Sequence, residues 1–240
     1  MTFIKKNIKA IIFIIVLLSI NTYLWVSAIQ SAFLNSGALW TSLSGSTIVL
    51  GYSLVFLLST RNKLIVKLFG GLEEVYFWHR TLSILSTALI FLHGFVSIRN
   101  LVSYQTTFFL LGSAAGAGEL ARNMFIFFIA VALLAKFIKY EHFRFIHRIL
   151  VIPFIFALYH SFFSSWVNLF SFSTISIWML FVASVGLVSA VYMLLIYQFS
   201  AFKYQGIVEE KKSLNESTFE LTVKLSKDYR FKPGQFAFIK

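Results

Sequence analysis

The segment LEEVYFWHRTLSILSTALIFLHGF, residues 72–95, carries two histidines, His79 and His93, within a long and mainly apolar run. The two are 14 positions apart, which is about 21 Å along an α-helix. An ionisable side chain inside an apolar span is costly and is usually retained for function. These two histidines are therefore the first candidates for a functional site.

A second segment, YEHFRFIHRILVIPFIFALYH at residues 140–160, repeats this arrangement with His147 and His160, which are 13 positions apart, or about 19.5 Å. Two neighbouring helices with these spacings would bring their histidines together in two pairs at matching depths. On an ideal helix the side chains of His147 and His160 would point about 140° apart, so this helix needs a distortion to bring both to the same face. Pro153 lies midway between its two histidines, where a missing backbone N–H predicts a bend.

The composition excludes several classes of protein. Of the 240 residues, 58% are hydrophobic and 12% are charged, a balance typical of membrane proteins and not of soluble domains. The chain has no Cys, which excludes disulfides, thiolate zinc sites and Cys-held iron–sulfur clusters. The net charge of +12 is placed between apolar runs, so it indicates membrane topology and not nucleic-acid binding.

Six apolar runs are each long enough to cross a bilayer, which takes about 20 residues per helix. The spans must be helical because lipid offers no other partner to the backbone polar groups. The predicted spans are about 10–29, 40–60, 77–98, 122–138, 145–163 and 174–197. The predicted fold class is thus all-α integral membrane, with residues 1–200 as a six-helix transmembrane domain.

Two alternatives concern the number of spans. The first span, followed by Val26-Ser27-Ala28, also fits a cleaved signal peptide. Its length and the second span directly after it favour a retained helix. The uncharged stretch 100–118 fits either an outer loop or a seventh span, and its polar and Gly content favours the loop.

The basic residues lie mainly on one side of the predicted spans. That side carries Lys5, Lys6, Lys9, Arg61, Lys63, Lys67, Lys136, Lys139, Arg144, Arg148 and Lys203. The other side carries only Arg99, Glu119 and Arg122. By the positive-inside rule we expect a multi-pass protein of the cell membrane with cytoplasmic N- and C-termini.

The paired histidines suit a metal cofactor, because imidazole nitrogen is a common axial ligand of heme iron. We expect two b-type hemes, one between His79 and His147 near the cytoplasm and one between His93 and His160 near the outer face. The alternatives are packing histidines and a proton or metal transporter. A zinc site would need its ligands within a few ångströms of one another. His142 lies in a charged segment and is expected to be a surface residue.

Arg80 and Arg148 each directly follow a predicted inner ligand. A cation at that position suits the carboxylates of a heme, so both are predicted to bind the cofactor. Snorkelling of an interfacial arginine is the alternative. On the outer side, Arg99 and Arg122 are the available cations.

These features resemble the ferric reductase and NADPH oxidase superfamily of transmembrane flavocytochromes b. The strings FGGLEEVYFWHRTLS and YEHFRFIHRIL match as well, and the resemblance covers about residues 5–200. It implies a six-transmembrane-helix diheme bundle in which His79, His93, His147 and His160 are the axial ligands of heme iron. No catalytic residue is predicted.

The polar C-terminal tail extends the resemblance. Residues 218–225 alternate strictly between apolar and polar, which predicts a half-buried strand, and residues 205–210 are a second candidate strand. The string FKPGQFAFI, residues 231–239, is similar to the strand that leads into the flavin site of ferredoxin-reductase-like barrels. We expect residues 201–240 to be the cytoplasmic, incomplete start of an FAD-binding β-barrel. The sequence stops at Lys240, before the FAD and NAD(P)H segments of that family, so this chain alone is expected to bind neither.

The expected function is a ferric reductase or NADPH oxidase-like oxidoreductase. Electrons would pass from cytoplasmic reduced flavin or NAD(P)H through two hemes to an external acceptor such as a ferric chelate or oxygen. Ser97 stands where animal-type NADPH oxidases have a histidine, so the acceptor stays open. Expected partners are membrane lipid and a flavin reductase domain, in cis or in trans, with no nucleic acid. The alternatives are a flavin-free heme subunit that passes quinone-derived electrons to a periplasmic partner, and a histidine-containing transporter.

Overall fold

The computed structural model describes residues 3–32, 34–98, 113–197 and 205–227. The chain divides into two compact units, Met1–Leu194 and Leu195–Lys240. The string at 231–239 and the side chain of Ser97 lie outside the described part. The two units are described separately below.

The described residues of the first unit are helical almost throughout. The helices are Phe3–Ser31 (α1), Ser36–Ser59 (α2), Lys63–Leu68 (α3), Leu72–Ile98 (α4), Ala114–Leu133 (α5), Tyr140–Arg148 (α6), Val151–Phe163 (α7) and Thr174–Val191 (α8). A 3₁₀ turn at Ala135–Phe137 follows α5, and a π-helical turn at Tyr192–Ile196 extends α8.

Six of these helical segments are long and apolar enough to cross a bilayer. They are Lys6–Ser31, Ser36–Ser59, Leu72–Val96, Ala114–Leu133, Tyr140–Phe163 and Thr174–Ile196. The fifth combines α6 and α7. The predicted all-α membrane fold with six spans is therefore confirmed.

The fourth span differs in position from the prediction. It begins at Ala114 and ends at Leu133, whereas the sequence predicted about 122–138. The helix starts earlier because Ser113 caps it, its side chain accepting a hydrogen bond from Gly116 N. The Gly-containing residues 114–118, predicted as loop, are therefore the first turn and a half of α5.

The fifth span is interrupted between α6 and α7. Ile149 and Leu150 lie outside both helices, and Ile152 N donates to the Ile149 carbonyl (2.9 Å) instead of continuing the i−4 pattern. Pro153 has no N–H for the Ile149 carbonyl, and its ring crowds that carbonyl. The predicted distortion is present. It falls at the Ile149 carbonyl, which cannot receive the usual i−4 hydrogen bond from Pro153.

Helix α2 lies at the centre of the bundle, packed mainly against α4 and α8, while α5 packs mainly against α7. Small residues on α2 let its neighbours approach closely, as is common between membrane helices. Asn21 of α1 joins three helices: it donates to Ser46 Oγ of α2 (2.9 Å) and accepts from Trp178 Nε1 of α8 (3.0 Å). Packing and polar contacts together thus fix α2, which lies beside both histidine pairs.

The described residues of the second unit form a two-stranded antiparallel sheet. Strand β1 is Gly206–Ser213 and strand β2 is Phe219–Leu225. The register pairs Gly206 with Leu225 and shifts between Val208 and Glu210 at a bulge. The C-terminal strands of the predicted fold are therefore present at the two predicted places, but both are exposed throughout, so the strand at 218–225 is not half-buried as predicted.

Candidate functional site

The four intramembrane histidines form two pairs. The ring centroids of His79 and His147 are 6.0 Å apart, and those of His93 and His160 are 6.1 Å apart. We call the first the inner pair and the second the outer pair. In each pair one ring comes from α4 and the other from the fifth span, and all four side chains are half-buried.

These separations fit two imidazoles on opposite sides of one metal ion. An imidazole nitrogen ligates a metal at about 2 Å, so two such rings have centroids about 6 Å apart. Within the described parts of the chain, no three His, Asp or Glu side chains come together as a metal-binding group. Each level thus offers two imidazoles, a donor set that suits the two axial positions of heme iron.

The inner pair has one anchored ring. The Nδ1 of His79 lies 3.0 Å from the Val55 carbonyl of α2. A carbonyl only accepts, so Nδ1 carries the proton and Nε2 is left able to bind a metal. The Nδ1 of His147 is buried and has no hydrogen-bond partner among the described residues. Its ring stacks instead on Phe143, one turn earlier in α6, at a centroid distance of 5.2 Å.

The outer pair has two anchored rings. The Nδ1 of His160 donates to the Ala114 carbonyl at the start of α5 (2.9 Å). The Nδ1 of His93 lies 3.0 Å from Ser44 Oγ of α2. Hydrogen bonds of this kind fix the tautomer and orientation of a ligating imidazole.

Two glycines make room for the outer rings. A Cβ added to Gly118 of α5 would lie 2.5 Å from Nδ1 of His160, and one added to Gly45 of α2 would lie 3.0 Å from Cε1 of His93. The first distance is shorter than any stable contact, and the neighbour is a ring held by a hydrogen bond. The backbones of α2 and α5 can therefore approach the outer pair only because these positions carry no side chain.

A cavity of about 340 Å³ surrounds the outer pair. Its lining includes both outer histidines together with Arg122, Glu119 and Trp166. This volume is in the range of small-molecule and cofactor pockets. Arg122, one of the two predicted outer cations, thus lies at the cavity, while Arg99 is outside the described residues.

Buried aromatic side chains contact the helices at chain positions between the two histidines of each span, near Thr87 of α4 and at Phe154 of α7. Tyr52 of α2 stacks on Phe125 of α5 at a centroid distance of 4.0 Å, and its hydroxyl bonds Thr87 Oγ1 (2.8 Å). Phe154 of α7 is fully buried and packs against Phe56 at 4.9 Å. Ser53 Oγ is also buried next to Phe154, and it has no hydrogen-bond partner among the described residues. This region is therefore mainly aromatic but includes buried hydroxyls.

The remaining predicted residues lie beside the inner pair in sequence. Arg80 follows His79 and is exposed, and Arg148 ends α6 after His147 and is half-buried. His142 is exposed on α6, as predicted for a surface residue.

No sequence pattern indicated the residues that contact the rings from other helices. Val55 and Ala114 act through backbone carbonyls, which any residue would provide, so no residue type marks them. Gly118 and Ser44 are ordinary small residues of a membrane helix until the fold places them against a histidine.

Six spans with histidine pairs at two levels define a multi-pass membrane protein. Residues 44–158 match the family described as ferric reductase like transmembrane component. The chain therefore contains a ferric reductase-like transmembrane domain, as its resemblance to that family predicted. The matched segment includes three of the four paired histidines and ends two residues before His160. A comparison with curated proteins finds no match.

This family indicates an oxidoreductase that transfers electrons across a membrane, and its members typically bind heme. The donor set and spacing of the histidine pairs fit that cofactor.

Proposed function

We propose that the chain transfers electrons across the membrane through two b-type hemes, each held by one histidine pair. The observation that carries the proposal is the pair of ring separations, 6.0 and 6.1 Å, at two levels of one bundle. Bound heme iron would supply reversible one-electron redox chemistry. Four residues would hold the two groups: His79 and His147 the inner, His93 and His160 the outer.

The chain's own contribution is to orient the ligands and exclude water. The carbonyls of Val55 and Ala114 hold Nδ1–H of His79 and His160, which keeps the opposite ring nitrogen of each in its metal-binding form. The stacked rings of Tyr52 and Phe125, both buried, would help to exclude water from the path between the two hemes.

The direction of transfer follows from the charges at the span ends. Because the basic residues lie on the side of both termini, that side is the cytoplasm of a cell-membrane protein. The donor is then a cytoplasmic reduced flavin or NAD(P)H, bound by a flavin reductase domain in cis or in trans. The acceptor is external, a ferric chelate or oxygen. Arg80 and Arg148 on the inner side, and Arg122 on the outer, would pair with heme carboxylates.

Transfer across a sealed membrane tests this function. Vesicles that contain the protein and enclose dithionite should reduce external ferricyanide faster than protein-free vesicles. His79→Ala and His160→Ala should each remove the increment, because each breaks one of the two levels, and His142→Ala should retain it. A wild-type rate equal to that of protein-free vesicles would refute the proposal.

A further inference from the structure

Ser44 differs from the other ring partners of the two pairs. His79 and His160 donate to backbone carbonyls, whereas His93 is held by a side-chain hydroxyl, Ser44 Oγ, at 3.0 Å. A backbone carbonyl is present whatever the residue, but a hydroxyl is present only while position 44 is Ser or Thr. This contact is therefore set by sequence and can be removed without changing the backbone.

The hydrogen-bond roles at Ser44 follow from its other neighbours. Ser44 Oγ lies 2.8 Å from the Trp40 carbonyl and 3.1 Å from the Thr41 carbonyl. Carbonyls only accept, so the single hydroxyl hydrogen points to the α2 backbone. The oxygen must then accept from His93, which places the ring proton on Nδ1 and leaves Nε2 unprotonated and able to bind a metal.

The surroundings make this arrangement rigid. Gly45, the next residue, lets the α2 backbone lie against the His93 ring, since an added Cβ would come 3.0 Å from Cε1. Ser44 thus holds the ring from a helix that carries none of the four paired histidines.

We propose that Ser44 is a positioning residue that tunes the outer metal group through His93. This inference rests on the proposed function, because it requires a heme at the outer pair. An acceptor at Nδ1–H makes the imidazole a stronger donor to the metal, and stronger donation stabilises the oxidised form. The Ser44 hydroxyl therefore lowers the midpoint potential of the outer heme and slows its release.

The test compares Ser44→Ala with Ser44→Thr in the full chain. Ser44→Ala should keep both hemes at saturation, because the outer ligands His93 and His160 remain, but should shift the outer midpoint potential to a more positive value. Release of the outer heme should become faster, by up to about tenfold. Ser44→Thr keeps the hydroxyl and should restore both properties. The same substitutions in the His147→Ala variant, in which only the outer pair is complete, show whether the shifted potential belongs to the outer heme.

Ser59→Ala is the matched control. Ser59 lies on the same helix, and its hydroxyl donates to a backbone carbonyl one turn earlier, Phe56 O at 2.6 Å. Both potentials should stay at their wild-type values in this variant. If Ser44→Ala does not fold, Ser44→Cys offers a nearly isosteric, weaker acceptor and should shift the potential in the same direction by less.

The outcomes separate the two proposals. Two bound hemes with potentials unchanged in Ser44→Ala and Ser44→Cys would overturn the role of Ser44 and leave the proposed function standing. A wild-type protein that binds no heme at the outer pair would overturn the proposed function and this inference together.

Discussion

The inner and outer histidine pairs have nearly equal ring separations but different support. Each outer ring has an Nδ1 partner on a neighbouring helix, Ser44 of α2 for His93 and the Ala114 carbonyl of α5 for His160. In the inner pair only His79 has such a partner within the described part of the chain. A site for a metal group has two separate requirements, a suitable distance between the rings and an anchor for each ring. The two pairs meet the first equally and the second unequally, although all four ligands are histidines.

The two pairs do not differ in how close their ligands lie to a helix end. In the fifth span, His147 is one residue before the end of α6, and His160 lies in the last turn of α7. The difference is in the anchoring of the rings, because both outer rings have an Nδ1 partner. The outer site is therefore the more tightly constructed of the two, and substitutions should affect the pairs differently.

The largest expected effect comes from removing a ligand. His93→Ala or His160→Ala should abolish the outer heme and leave the inner one, and His79→Ala or His147→Ala should do the reverse. Heme per chain, measured by pyridine hemochromogen absorbance, should fall to about half of the wild-type value in each case. His142→Ala is the control and should retain the wild-type content. Loss of heme in His142→Ala with full content in His147→Ala would show that the ligand in the fifth span is wrongly assigned.

The next effect comes from filling the space beside His160. Gly118→Ala would place a Cβ 2.5 Å from Nδ1 of that ring, so the ring or α5 must move. We expect outer-heme affinity to fall by about tenfold or more, with the inner heme unchanged. Hemin titration of the purified apoprotein measures both affinities.

Gly116→Ala, two residues away on the same helix, is the matched control for Gly118→Ala. Its added Cβ would meet only Ser113 Oγ, at 3.0 Å, and no histidine. It should bind both hemes like the wild type. Equal losses in the two variants would attribute the effect to α5 as a whole and not to the space beside the ring.

A smaller effect is expected in the wild-type protein itself. The Nδ1 of His147 lacks the hydrogen bond that anchors each of the other three rings. The inner heme should therefore leave first when the protein is mixed with excess apomyoglobin. Loss of a single hydrogen-bonding partner typically weakens metal binding by 10–100-fold, so we expect the inner transfer to be about tenfold faster. Comparison with His79→Ala, which keeps only the outer heme, identifies the slow phase. A single phase for both hemes would contradict the difference in anchoring.

The smallest effect is predicted between the pairs. Tyr52→Phe removes the hydroxyl that bonds Thr87 but keeps the ring stacked on Phe125. The variant should bind both hemes normally and lose about 1 kcal/mol of stability. Thermal denaturation followed by heme absorbance measures that loss. Loss of either heme in this variant would show that the Tyr52 hydroxyl is needed for heme binding by one of the histidine pairs.

Much of the architecture was predictable because it depends on patterns of residue type and spacing along the sequence. Apolar runs gave the number of spans, and the spacings of 14 and 13 residues predicted histidines at two matching levels. The distortion of the fifth span followed from Pro153, although the break itself lies earlier, at Ile149 and Leu150. Each of these signals is local along the chain.

The features that escaped prediction depend on contacts between distant segments. The start of α5 was predicted as loop because glycines and small polar residues resemble a loop, whereas here they allow close approach to His160. The carbonyl partners Val55 and Ala114 have no sequence signal at all. Whether a histidine is anchored, and so how the two pairs differ, can be read only after the helices are placed.

The heme content of the purified wild-type protein tests the central claim most directly. After saturation with hemin and removal of the excess, pyridine hemochromogen absorbance per chain should correspond to two b-type hemes. The oxidised and reduced spectra should be those of six-coordinate, low-spin iron, because each metal has a histidine on either side. A colourless protein, a single heme at saturation, or a five-coordinate high-spin spectrum would contradict the assignment of the two histidine pairs.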